Sequence, residues 1–134
     1  TALFSLPFSA YFLLLSQRVV STRQKTDTTF GTTSSSGDSN DPLFVAIRAH
    51  ANFLETVPVG LLLALTAEIN GANRKVLCGA LAGLWVLRVA NVEAGLRRSE
   101  AKGFGRFMGY FGTQVWLGGM TVWCVHLTRD FWGF

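Results

Sequence analysis

Arg48, Asn52 and Glu55 are spaced by four and then three residues in a stretch, Arg48 to Glu68, that is otherwise almost wholly apolar. On an α-helix this spacing puts a guanidinium, an amide and a carboxylate on one face. A charge placed near lipid costs roughly 2.5–3.5 kcal/mol even on the lenient insertion scales, so such a stripe faces a partner or a ligand rather than hydrocarbon. Two uses of the stripe are open at this point: a binding site, or a structural polar cluster that fixes helix register.

Lipid is the right reference because of the composition. The chain of 134 residues is 49% hydrophobic and only 15% charged, where soluble domains carry about 25% charged residues. Its mean hydropathy is +0.33. These figures describe an integral, multi-pass membrane protein. Crossing a hydrocarbon core takes roughly 20 helical residues, and residues 2–20, 43–70, 76–96 and 104–127 meet that requirement. The expected fold is therefore all-α, a bundle of four transmembrane helices in a single domain spanning residues 1–134. The apolar start, Thr1 to Phe8, reads as a retained helix rather than a cleaved signal, because no small-residue cleavage pattern follows it.

The connections carry their own signals. Residues 21–42 are polar and rich in Ser, Thr, Gly and Asp, the composition of a loop. Ser39, Asn40 and Asp41 are candidate caps, and Pro42 suits the first turn of the second helix. Asn70-Gly71-Ala72-Asn73 reads as a helix stop and tight turn, making the second and third helices antiparallel neighbours. Loops 21–42 and 97–103 hold Arg23, Lys25, Arg97, Arg98 and Lys102, which places them on the cytoplasmic side or its equivalent. With that topology, Arg48, Asn52 and Glu55 share one layer of the membrane with Arg88 and Asn91 of the third helix and Arg106 and Tyr110 of the fourth. A cavity at that layer suits an anionic ligand.

Other polar residues read as structural. Arg88 and Glu93 are expected to pair across helices, and His50, beside the Arg48 face but off it, is expected to be a hydrogen-bonded structural residue. A lone histidine is a poor metal argument, and no metal-ligand spacing exists. Cys78 and Cys124 are read as buried small hydrophobes. Gly79, Gly83, Gly105, Gly109 and Gly112 have the spacing of close helix packing. The charge of +4 is spread over membrane flanks, which favours anionic lipid headgroups and excludes a nucleic-acid groove. No repeat symmetry or broken helix points to a transporter.

The run Arg48-Ala49-His50-Ala51-Asn52-Phe53-Leu54-Glu55-Thr56-Val57-Pro58 resembles the R-x-H-x-N-x-x-E-x-x-P signature of the MAPEG proteins, membrane-associated proteins of eicosanoid and glutathione metabolism, and among them the bacterial-type branch. Val19-Val20-Ser21-Thr22-Arg23, Arg88 with Gly95, and Gly105-Arg106 with Tyr110 support the likeness along the whole chain. The resemblance implies a left-handed four-helix bundle assembled as a homotrimer, with glutathione as cosubstrate held between neighbouring subunits. It implies that Arg48, Asn52 and Glu55 bind the peptide, Glu55 taking the amino group and Arg48 a carboxylate. Arg23 matches a basic residue at the mouth of the site, and Tyr110 an aromatic near the cysteine sulfur.

By the same resemblance Arg106 is the catalytic residue, facing that sulfur. A free thiol titrates near 8.5, and an adjacent guanidinium stabilises the thiolate, which then attacks a lipophilic electrophile or peroxide arriving from the bilayer. The chain departs from the pattern where it carries Asn91 and Gly95, since many relatives have tyrosine or histidine there, and at Ala51, which replaces a basic residue of some members. These departures carry the alternative reading: a non-catalytic subunit of the same fold, packed with other membrane subunits in a larger complex.

Overall fold

The computed structural model describes residues 1–33, 41–96 and 104–133, and the side chains of these except 95–96 and 104–106. It consists of helices α1 (Ala2–Thr26), α2 (Pro42–Ile69), α3 (Arg74–Ala90) and α4 (Phe104–Trp132), with a π-helical turn, Asn91–Leu96, continuing α3. α1, α2 and α3 with its π turn are long and apolar enough to cross a membrane. α4, at 29 residues, has the length but not the apolarity. Its glycines, tryptophans and Gln114 dilute the aliphatic residues, so the expected fourth span is a helix of less apolar composition.

Local chemistry fixes the ends. The Asp41 carboxylate accepts the backbone N–H of Leu43 at 2.9 Å and of Phe44 at 3.4 Å, with Pro42 at the first helical position. It also accepts the N–H of Thr33 at 3.0 Å, tying the described part of the loop to the helix start. Ser39 and Asn40 lie outside the described residues. At the other end of α2, Gly71 takes φ 80°, its N–H donates to Glu68 O, and the Ala72 N–H donates to Ala67 O. Those are the paired bonds of a Schellman stop. Asn73 then caps α3 through Lys75 N and Val76 N.

Two boundaries differ from expectation. α1 runs to Thr26, so the polar loop begins at Asp27 rather than residue 21. The Thr22 and Thr26 hydroxyls donate to the carbonyls of Arg18 at 2.8 Å and Thr22 at 3.0 Å, which satisfies polar side chains without leaving the helix. The third helix changes from α to π winding at Asn91 instead of running unbroken to residue 96.

In lipid the helices gain little from hiding apolar surface and associate through close packing. α2 presents Ala49, Phe53, Val57, Ala64 and Ala67 to the interior, and its small residues let neighbours approach. Phe53 packs against Phe8 and Tyr11 of α1, with ring centroids at 6.3 and 5.6 Å. The Trp116 indole of α4 donates to Ala80 O of α3 at 2.7 Å. Glycines make the closest approaches: a Cβ at Gly60 would stand 2.8 Å from Leu84, at Gly112 2.8 Å from Leu87, and at Gly109 2.5 Å from Asn91 Cβ. Gly79, Gly83, Gly118 and Gly119 have nothing within 4 Å, so only part of the expected glycine packing surface is used inside the bundle.

Gly109→Ala is expected to lower the thermal unfolding midpoint in detergent by an amount equivalent to about 1–3 kcal/mol, because Asn91 meets the new methyl with its own backbone. Gly118→Ala, pointing into open space, is expected to be neutral or slightly stabilising.

Candidate functional site

The polar groups divide into an interior cluster and an outer face. The interior cluster is built on Arg88, which is only 2% exposed. Its Nη1 donates to Asn52 Oδ1 at 3.0 Å and to Thr56 Oγ1 at 3.2 Å, both on α2. Its Nη2 donates to Gly109 O and Thr113 Oγ1 on α4. One guanidinium thus ties three helices together. Among the described residues no carboxylate pairs with it, so amide, hydroxyl and carbonyl dipoles alone hold the charge. The expected Arg88–Glu93 pair does not form.

Glu93 instead faces α1, where it accepts from Arg18 Nη1 at 2.5 Å and from the Tyr11 hydroxyl at 3.1 Å. The physical reason is angular. Five residues separate Glu93 from Arg88, and the π turn between them sends the carboxylate toward α1 while the guanidinium points between α2 and α4. Both members of the Arg18–Glu93 pair are about one-third exposed, so the pair contributes at most about 1 kcal/mol.

The outer face holds Arg48 and Glu55, both exposed on α2. Among the described residues neither has a hydrogen-bond or ion-pair partner. Asn52, between them in sequence, is half-buried and turned to Arg88 through its oxygen. Arg48 and Glu55 thus lie on the exposed side of α2, and Asn52, turned to Arg88, lies on its inner edge. Tyr110 is exposed on α4 and meets Phe111 edge-on at 5.3 Å. Arg106 lies in the first turn of α4, with its side chain outside the described residues, as are Arg97, Arg98 and Lys102.

Several expected roles move. Arg23 folds onto the loop it precedes, donating to the carbonyls of Thr28 at 3.3 Å, Thr29 at 3.0 Å and Gly31 at 3.4 Å. Its guanidinium serves the helix end, where carbonyls lack intrahelical donors. Among the described residues the His50 side chain has no hydrogen-bond partner: its ring lies 5.1 Å from that of Phe12 and its Nε2 is buried and unpaired. The expectation of a hydrogen-bonded histidine fails because the α1 surface facing it is aromatic. Asn91 is 1% exposed and packed against Gly109 rather than lining an open site. Cys78 and Cys124 are free thiols, and Cys124 donates to Leu63 O at 3.3 Å.

Thr56 and Thr113 belong to the site and were missed in the sequence. Each sits beside a residue already singled out, but a threonine in an apolar helix carries no signal until its neighbour across the bundle is known.

A four-helix bundle in which three helices are long and apolar enough to cross a membrane is the architecture of an integral membrane protein. The MAPEG family profile matches residues 1–126. The chain belongs to the MAPEG family. Searches of curated proteins and of solved structures give no match.

His50→Phe is expected to hold or raise the unfolding midpoint in detergent, since it removes an unpartnered buried nitrogen and keeps a ring against Phe12. A fall of the midpoint would show that the imidazole has a partner outside this chain.

Proposed function

We propose that the chain is a glutathione-dependent transferase or peroxidase acting on lipophilic electrophiles in the bilayer. The observation that carries this reading is the exposed, unpartnered pair Arg48 and Glu55 on a membrane-crossing helix. Charges of both signs at that depth call for a partner carrying both signs. Glutathione offers carboxylates to Arg48 and an amino group to Glu55, with Asn52 between them. Arg23 is held by the loop carbonyls and takes no primary part.

The reading includes a homotrimer whose neighbouring subunits complete the site. Supporting it, Arg48, Glu55, Val59, Leu62, Thr66 and Ile69 form one exposed stripe along α2, spaced seven, four, three, four and three residues apart. That is the spacing of a seam between packed helices. Arg106 then acts as the catalytic residue, its guanidinium holding the glutathione sulfur as thiolate, with Tyr110 one turn further along α4. The thiolate forms a sulfur–carbon bond while the electrophile's leaving group departs with its electron pair, without a covalent enzyme intermediate. Arg23 and Lys25 in the last turn of α1, with the basic residues of 97–103, support a site mouth on the cytoplasmic side.

A second reading is favoured by one observation. Asn91 stands where many relatives have an aromatic residue, and it is buried against Gly109, so the site lacks that wall. A non-catalytic subunit packed with other membrane proteins fits this.

Calorimetry on detergent-purified protein separates the two. Saturable glutathione binding is expected for the wild type, weakened about tenfold or more in Arg48→Ala and in Glu55→Gln, as losing a hydrogen bond to a charged group costs about 1.5–3 kcal/mol. Thiolate absorbance of the bound peptide is expected to vanish in Arg106→Ala with binding largely retained. A folded wild type that takes up no glutathione overturns the enzyme reading.

A further inference from the structure

Besides the buried Nε of Arg88 itself, the cluster leaves one hydrogen-bonding group over, and its identity is dictated by the rest. A guanidinium has donors only, so the side of the Asn52 amide that meets it must be Oδ1. The Thr56 hydroxyl spends its proton on Asn52 O at 2.9 Å, and the Thr113 hydroxyl on Gly109 O at 2.7 Å. Both therefore meet Arg88 with lone pairs, and neither has a second proton with which to turn the amide round. The unused group is Asn52 Nδ2, which has no partner among the described residues and, unlike the orphan atoms of His50, Trp85 and Arg88, is not fully buried, on a side chain that is itself half-buried.

We propose that Arg88 is a positioning residue for the candidate site: by holding Oδ1 it commits Asn52 to offering an N–H donor beside Arg48 and Glu55, so the ligand must bring an acceptor oxygen there. This deepens the proposed function and rests on its reading of the Arg48 face as a ligand site. It divides the face into two donors, Arg48 and Asn52, and one acceptor, Glu55. A ligand that fits has carboxylate or carbonyl oxygens reaching Asn52 and Arg48, and a cationic nitrogen reaching Glu55. Arg88 touches none of it and acts through the amide.

The decisive variant is Asn52→Asp. It keeps an oxygen toward Arg88, now as a carboxylate that neutralises the buried cation, and replaces the outward N–H donor by an acceptor. The expected result is an unfolding midpoint equal to or above the wild type, with glutathione affinity lowered at least tenfold by calorimetry. Arg88→Lys, which retains a donor for Oδ1, is expected to keep more of the affinity than Arg88→Met. A thermal double-mutant cycle with Arg88→Met, Asn52→Leu and the pair reads the contact itself. The double variant is expected to lose less than the sum of the single losses.

Wild-type affinity in Asn52→Asp, or an additive cycle, overturns the proposal. A wild type that binds no glutathione while the cycle still shows coupling removes only the glutathione reading and leaves the Arg88–Asn52 pairing supported.

Discussion

A cation in the interior of a membrane bundle constrains everything around it. Arg88 has donors only, and an unsatisfied guanidinium among apolar side chains would cost far more than the few kcal/mol by which a domain is stable. The bundle answers with acceptors drawn from two other helices: the Asn52 amide and Thr56 hydroxyl of α2, and the Gly109 carbonyl and Thr113 hydroxyl of α4. For α4 to bring a backbone carbonyl that close, Gly109 must lie flush against Asn91. The π turn that starts at Asn91 follows directly, since it lets the chain turn away from α4 and send Glu93 to Arg18 and Tyr11 of α1. Two polar junctions, at Arg88 and at Glu93 five residues further on, thus fasten α3 and its π turn to every other helix.

This division of polar contacts suits a protein in lipid better than one in water. Apolar burial discriminates weakly between correct and slipped packings when the solvent is itself apolar. A guanidinium that needs several acceptors in set positions discriminates strongly, because a slip of one residue on either partner helix leaves it unpaired. Register of α2 and α4 against α3 is therefore fixed by hydrogen bonds, while α1 is fixed mainly by the Phe8, Tyr11 and Phe53 rings.

What the sequence made legible follows the same line. Caps and stops are local chemistry, so Asp41-Pro42 and Asn70-Gly71-Ala72-Asn73 were readable without tertiary information. The Arg48–Glu55 face was readable because helical spacing gives relative angles along one helix. Absolute rotation was not. Nothing in residues 48–58 says that the inner edge of the stripe is Asn52, or that Arg88 rather than Arg48 points inward, because that depends on which neighbours lie on each side. Glu93 was assigned to Arg88, whereas the partners it has in α1, Arg18 and Tyr11, lie 75 and 82 residues away. Arg23 was read from charge alone, and charge does not reveal that the last carbonyls of α1 and its loop would claim it. The end of α1 was placed early because threonines read as loop until their hydroxyls are seen bonding back along the helix.

Arg48 and Arg88 show how one residue type takes opposite tasks within a single layer. Both terminal nitrogens of Arg88 are spent on α2 and α4 acceptors and its remaining donor, Nε, is buried, so it reaches a ligand only through Asn52. Arg48 and Glu55 are exposed and without a partner among the described residues, on a helix long and apolar enough to cross a membrane, where hydrocarbon is a poor substitute for one. A charge pair left open in this way is a cost to the isolated chain and becomes favourable only when something binds or packs against it. The interior cluster makes that cost tolerable. By fixing the rotation of α2, it holds the open pair in one orientation before any partner arrives, so little further ordering is required when one does.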